Sequence, residues 1–144
     1  MDQQSLDKYF STHWHSNIDQ YEYSGWALLQ KIKLGESVLD VGCGTNPFKA
    51  RIANLTGIDP AFDSADVKCT IEQFESNIQF NVAFCLGSIN FGSEATILKQ
   101  IGHIYLKLNI FYLKLLHQYA EQFGFQVADL QQDSNNRIYC EWTR

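Results

Sequence analysis

The segment Asp40-Val41-Gly42-Cys43-Gly44 follows an apolar run, and Asp59 comes seventeen residues after Gly42. Glycines lack the Cβ that holds a ligand away from the main chain, so such a loop presents its N–H groups at close range. A carboxylate closing the next strand can accept hydrogen bonds from both hydroxyls of a ribose. Together these features point to a nucleoside-bearing ligand. A dinucleotide fingerprint would put a third Gly or Ala at position 47, where this chain has Pro47. Asp40 disfavours a diphosphate as well, since a carboxylate suits a cationic amino group better. The other candidates are weaker. His13 and His15 flank Trp14 and do not share a helical face at a spacing of two. They are read as solvated residues beside a packed Trp, the alternative being a general base in a lid. His103 and His117 are read as surface positions. Glu72 is read as a solvated acid after a strand, with acceptance from a ligand amino group as the alternative. Ser88 and Asn90 follow a strand-like run. No residue stands out as catalytic, and the isolated cysteines Cys43, Cys69, Cys85 and Cys140 have no zinc or dithiol spacing.

These residues need strands to carry them. Ser37 to Val41 reads as a strand buried on both faces, and Asn46 with Pro47 reads as a helix start, Asn capping and Pro at the first position. Leu55 to Asp59 is a second strand, Asp66 to Thr70 a third, and Phe80 to Leu86 a fourth whose continuous apolar run suits a parallel strand under helices. Phe125 to Gln132 and Arg137 to Trp142 form a terminal antiparallel hairpin around Asp133-Ser134-Asn135-Asn136. Ser5 to Ile32, rich in Tyr, Phe and Trp, is expected as one or two helices over the entrance. From Ser93 to Phe123 apolar residues recur at three and four, which predicts a long helix kinked near Gly102 in place of a fifth strand. Alternation from Ile104 to Ile110 leaves a strand as the competing reading. A helix of about thirty residues would run ~45 Å, too long for this domain, which predicts a homodimer through that segment.

Val38-Leu39-Asp40-Val41-Gly42-Cys43-Gly44-Thr45, Thr56-Gly57-Ile58-Asp59-Pro60 and Phe80-Asn81-Val82-Ala83-Phe84 resemble, in this order, three motifs of class I S-adenosylmethionine-dependent methyltransferases. The likeness spans Ser37 to Phe91, and the run Gly42-Cys43-Gly44-Thr45-Asn46-Pro47-Phe48 is also similar to small methyltransferase-like proteins of phages. The resemblance implies a shortened, Rossmann-like α/β sheet with a terminal hairpin, and S-adenosylmethionine as cofactor. It implies that Asp40, Gly42, Cys43 and Gly44 hold the methionine part, and that Asp59 and Pro60 lie at the ribose. Thr70 and Ile71 would lie along the adenine, and Leu86, Gly87 and Ser88 would face the sulfonium. Asn81 stands where the family usually has an acid, and amide and carboxylate both accept hydrogen bonds.

The 144 residues, 45% of them hydrophobic, are expected to form one domain: a helical cap (1–36), a cofactor-binding half (37–91), a helical segment (92–124) and the hairpin (125–144). The formal charge of -5, with scattered basic residues, argues against phosphate-backbone binding and for a small neutral or basic substrate. The sequence lacks the Asn/Asp-Pro-Pro-aromatic element of DNA aminomethylases and the Pro-Cys of cytosine C5 enzymes. A polar N-terminus, no membrane-length apolar stretch and reduced thiols are expected of a cytoplasmic protein. Two functions follow from the resemblance: a small-molecule methyltransferase, or an inactive module that binds S-adenosylmethionine or its demethylated product.

Overall fold

The computed structural model describes residues 2–15, 18–20, 22–88, 104–108, 113–135 and 137–144. Its strands are β1 (Val38–Val41), β2 (Leu55–Ile58), β3 (Val82–Leu86), β4 (Ile104–Leu108), β5 (Gln126–Gln132) and β6 (Ile138–Thr143). They make one sheet in the order β2-β1-β3-β4-β6-β5. The pairs β1/β2, β1/β3 and β3/β4 are parallel, while β4/β6 and β5/β6 are antiparallel, as the expected terminal hairpin requires. The carboxyl ends of β1 to β4 therefore lie at one edge. The crossover from β2 across β1 to β3 makes that edge a switch in strand order, where ligands of open α/β sheets bind.

Alternation along the strands sorts side chains into two cores. Leu39, Val41, Ala83, Cys85, Cys140 and Trp142 face one side, packed with Phe125 and with Ala120 of helix α2 (Leu113–Gln122). Val38, Val82 and Phe84 face the other, under Leu28 of the 3-10 helix Gly25–Lys31 and Phe48 of the 3-10 turn Pro47–Ala50. The rings of Trp26, Phe48 and Phe84 run edge to face, with centroids 5.5 and 5.2 Å apart. Helix α1 (Gln3–Thr12) begins at Asp2, whose carboxylate accepts from Ser5 N at 2.9 Å, and buries none of its residues. At the opposite edge of the sheet Ser37 and Asn81 clamp the starts of β1 and β3, Asn81 Oδ1 accepting from Ser37 N at 2.9 Å and Ser37 Oγ at 3.0 Å. The amide thus does the accepting that an acid would do there.

Four expectations are corrected. The stretch 93–123 is not one helix, because β4 lies within it, hydrogen-bonded between β3 and β6, and α2 begins only at Leu113. Residues 93–103 and 109–112, Gly102 and His103 included, lie outside the described residues. With the strand present, the over-long helix that predicted a homodimer is gone, and the premise for that dimer with it. The third strand is reduced to one parallel bridge, Ile58 to Val67. The Asp66 carboxylate instead accepts from Gly57 N at 2.8 Å and pairs with Lys49 at 2.9 Å, which uses the β2 edge for a turn rather than a ladder. Finally, the expected helix after the glycine loop is the four-residue 3-10 turn Pro47–Ala50, and the chain enters β2 at Leu55. Asn46 precedes it without capping it.

Phe84 is fully buried in the middle of the sheet. Phe84→Ala is expected to lower stability by about 3–5 kcal/mol, the usual result of removing a buried ring without collapse of the space. A urea titration of wild type and variant reads this as a fall in midpoint at unchanged slope.

Candidate functional site

The glycine loop leaves β1 at the carboxyl edge and turns under the end of β2. Gly42 and Gly44 have φ of +72° and +57°, the left-handed region that side chains disfavour. Gly42 N and Cys43 N both donate to Ile58 O, at 2.9 and 3.1 Å, and Gly44 N donates to Asp59 Oδ2 at 3.0 Å. Asp59 Oδ1 accepts from Ala61 N at 2.8 Å and Phe62 N at 3.2 Å, so this carboxylate joins the loop after β1 to the turn after β2. Ser88, two residues past β3, closes the other side. Its Oγ donates to Val41 O, and a Cβ on Gly42 would stand 2.4 Å from the Ser88 Cβ. A side chain at 42 is thus excluded by both φ and space.

Asp40 and Asp59 are 3% and 7% exposed. Burial, with the nearby Asp59 charge adding to it, pushes the Asp40 carboxyl up to about 7. Among the described residues no donor or cation offsets either effect. A buried carboxyl in that state is a place for a positive group. The Cys43 thiol is pushed far up by burial and then by the Asp40, Asp59 and Asp66 charges. It stays protonated and is a packing group rather than a nucleophile.

Of the remaining expected site residues, Pro60 follows Asp59 and is half-buried, Leu86 ends β3 and Gly87 follows it. A Cβ on Gly87 would meet nothing within 4 Å among the described residues. Thr70 is half-buried, its N–H donating to Gln73 Oε1 at 3.2 Å. Ile71 is 5% exposed and its side chain belongs to the core beside Leu39 and Val41. Only its main chain remains to face a ligand.

Two residues matter more than the sequence suggested. Asn46 adopts φ 57°, and its Nδ2 donates to Ser64 O at 3.1 Å instead of its side chain capping the turn. A Cβ on Gly57 would lie 2.6 Å from Asn46 Oδ1, so Gly57 is what lets the loop seat against β2. Trp14 lies over the loop, where a Cβ on Gly44 would come within 3.1 Å of its ring. Its ring also meets Phe62 edge to face at 6.1 Å. His13 and His15 on either side are exposed, as expected of solvated histidines flanking a packed Trp. The Gly-x-Gly spacing gives no hint of a distant aromatic partner, and only the density of rings before residue 27 signals a cover.

No protein-family model matches the sequence, and no curated protein is detectably similar to it. Solved structures are similar in three dimensions. A methyltransferase of Aquifex aeolicus dependent on S-adenosylmethionine superposes with a TM-score of 0.68 over 99% of this chain and 98% of its own, at 12% identity. The fold is that of S-adenosylmethionine-dependent methyltransferases. A second such enzyme, from Thermotoga maritima, gives 0.63 over 97% and 94% at 12% identity. The ribosomal protein L11 methylase of Lactobacillus delbrueckii subsp. bulgaricus gives 0.62 over 81% and 74% at 16% identity, and rRNA methylases also share the fold. The matches to the first two span nearly the whole of each chain.

Two measurements probe this site. Gly42→Ala is expected to lose about 1–2 kcal/mol from its φ alone, with a further loss from the Ser88 clash. Gly87→Ala, at φ +89° with no described residue within 4 Å of the added Cβ, is expected to show only the first part. Gly42→Ala/Ser88→Gly should recover only the second, all read from urea midpoints. For Asp40, the folded chain keeps its proton up to about pH 7 while the unfolded chain releases it near 3.8. The folded state therefore binds more protons across that window, and this group's contribution to stability falls as pH rises from about 4 to 7. Asp40→Asn removes the titration, so its stability relative to wild type should rise with pH over that range and level off above it. A flat difference would show that Asp40 titrates normally.

Proposed function

We propose that this chain is a methyltransferase that uses S-adenosylmethionine and acts on a small-molecule acceptor. The carrying observation is the buried Asp40 carboxyl, without a cation against it among the described residues, beside Asp59 and the glycine loop, whose N–H groups are taken by Ile58 O and Asp59, at the carboxyl edge of a methyltransferase sheet. The residues fit such a cofactor. Asp40 would receive its ammonium group, with Gly42, Cys43 and Gly44 allowing the methionine part to lie against the main chain. Asp59, already oriented by three backbone N–H groups, would accept the ribose hydroxyls, with Pro60 beside it. Thr70 and the main chain of Ile71 would border the adenine. Leu86, Gly87 and Ser88 would lie beside the sulfonium, with none of the described residues crowding Gly87. Trp14, packed on Gly44 and Phe62, would shelter the loop from water.

When bound, the cofactor supplies a methyl group already activated by its sulfonium charge. The protein's task is then alignment of the acceptor with that methyl, which can supply much of the rate without a dedicated catalytic side chain. The reading as an inactive binding module rested on a missing fifth strand, and β4 removes that support. The net charge of -5 supports a small acceptor over a phosphate backbone, although relatives of this fold include rRNA methylases.

Melting of the protein with S-adenosylmethionine, S-adenosylhomocysteine or NAD tests the reading. At a hundredfold excess over Kd a specific ligand adds about 2.7 kcal/mol, which gives a clear rise in Tm. Both sulfur nucleotides should raise it and NAD should not, and Asp59→Ala should abolish the rise while remaining folded. If neither sulfur nucleotide shifts the melt, the reading is wrong.

A further inference from the structure

The turn after β2 holds Gly44 from both sides. Asp59 Oδ2 accepts from Gly44 N at 3.0 Å, and Ser64 Oγ donates to Gly44 O at 3.1 Å. Gly44 needs such ties, because a glycine has the widest choice of backbone angles of any residue, and this one is held at φ +57°. Ser64 is exposed and belongs to neither core, so its hydroxyl rather than its packing is what the loop uses.

Ser64 is placed in turn by the residue two beyond the glycine. Asn46 Nδ2 donates to Ser64 O at 3.1 Å and reaches Asp66 Oδ2 at 3.4 Å. Asn46 N donates to Cys43 O at 2.9 Å, so a circuit of hydrogen bonds leaves the loop at Asn46, crosses Ser64 and returns to Gly44. Asn46 is 8% exposed, and Asn is among the few residues with a side chain that take a φ of 57° readily. Further along the same turn, Asp66 N donates to Gly57 O at 2.9 Å and its carboxylate accepts from Gly57 N at 2.8 Å, which anchors the circuit on β2.

The consequence falls on Asp59. Its Oδ1 takes Ala61 N and Phe62 N, both from its own turn, whereas Oδ2 takes Gly44 N. A carboxylate offers about four lone-pair positions, so the capacity left for a ligand lies on Oδ2, the oxygen that Gly44 holds. If the Gly44 main chain drifts, the direction of that remaining lone pair drifts with it. We infer that Ser64 and Asn46 are positioning residues, which hold the Gly44 main chain so that Asp59 presents Oδ2 to a ribose hydroxyl. That the ribose is part of a sulfur nucleoside rests on the methyltransferase reading. Both residues act through Gly44 rather than on the ligand.

Calorimetric titration of the full chain with S-adenosylhomocysteine and with its 2′-deoxy and 3′-deoxy counterparts tests this. In the wild type, removal of at least one hydroxyl should weaken binding by about tenfold or more, as expected for a hydrogen bond to a charged acceptor. Ser64→Ala should bind the full nucleoside about three- to tenfold more weakly, yet lose less than about twofold for the deoxy compound that the wild type disfavours. The discrimination between the two therefore shrinks. Asn46→Gly, which permits the left-handed backbone but lacks the amide, should do the same, while Ser64→Thr, which retains the hydroxyl, should keep the wild-type ratio. A loop that had merely loosened would weaken every ligand alike. Equal losses for full and deoxy ligands in both variants, a Ser64→Thr that behaves as Ser64→Ala, or a wild type that binds all three ligands equally would overturn the inference. In each of those cases S-adenosylhomocysteine still binds and the cofactor reading stands. No binding of S-adenosylhomocysteine by the wild type removes that reading and this inference with it.

Discussion

Two carboxylates held out of water at the ends of neighbouring parallel strands are the constraint around which this domain is arranged. Taking an ionised carboxylate out of water is costly unless donors or a cation meet it. Asp59 is met by Gly44, Ala61 and Phe62 N–H groups, whereas Asp40 has only its proton and the proximity of Asp59. The difference is informative. One acid is satisfied by the fold and positioned by it, and the other is left without a donor or cation among the described residues.

Keeping both acids in place requires unusually close approach of three chain segments. The tip of β1 must pass the end of β3, which only a glycine at 42 permits beside Ser88. The loop must also settle against β2, which only a glycine at 57 permits beside Asn46 and Cys43. Asp66 stabilises the same junction: burial would raise its pKa, but hydrogen bonds from Gly57, Lys49 and Asn46 outweigh that and hold it low. The lost third strand and the uncapped turn at Pro47 go with this junction, because the Gly57 N–H donates to the Asp66 carboxylate rather than to a neighbouring strand, and the Asn46 amide donates to Ser64 O.

The legible parts of the site were those where chemistry admits few residue types. Gly42, Gly44 and Asp59 are read directly as a close-approach loop with an acid beside it, since few other residues permit the positive φ and the tight space found there. The hairpin was legible for the same reason, its turn residues being flanked by alternating strands, and Asp133 anchors it. Burial opposes the Asp133 charge, but hydrogen bonds from Arg137, Tyr139 and Asn135 prevail and keep its carboxyl below the usual range. The fifth strand of the family pattern was hidden because Ile104 to Leu108 alternates with period two inside a longer stretch that also fits a helical period, and α2 at Leu113–Gln122 lends its own periodicity to the window. Ile71 was assigned to the ligand by its place after a strand, but an Ile is as well suited to the core, and sequence distance cannot say which way it points. Trp14 was legible as packed but not as packed on Gly44, since nothing local links residues thirty positions apart.

The aromatic content of 14% has its explanation in how little helix this part of the sheet receives. A βαβ crossover ordinarily covers its sheet with a helix of several turns, yet after β1 the chain supplies only Pro47–Ala50. A short turn can exclude water from a strand pair only if its few side chains are large. Phe48 does this, 2% exposed and in ring contact with both Phe84 below and Trp26 above. Trp26 is in turn fixed by its Nε1, which donates to Asp19 at 2.7 Å, and Arg51 lies over its ring at 5.8 Å. The 3-10 helix Gly25–Lys31 is thereby docked on the sheet, and its far end supplies Lys31 to the hairpin acids. The same stack that substitutes for a crossover helix thus sets one wall of the cavity lined by Leu28, Leu86 and Tyr139, so the economy of the fold and the shape of that cavity have one cause.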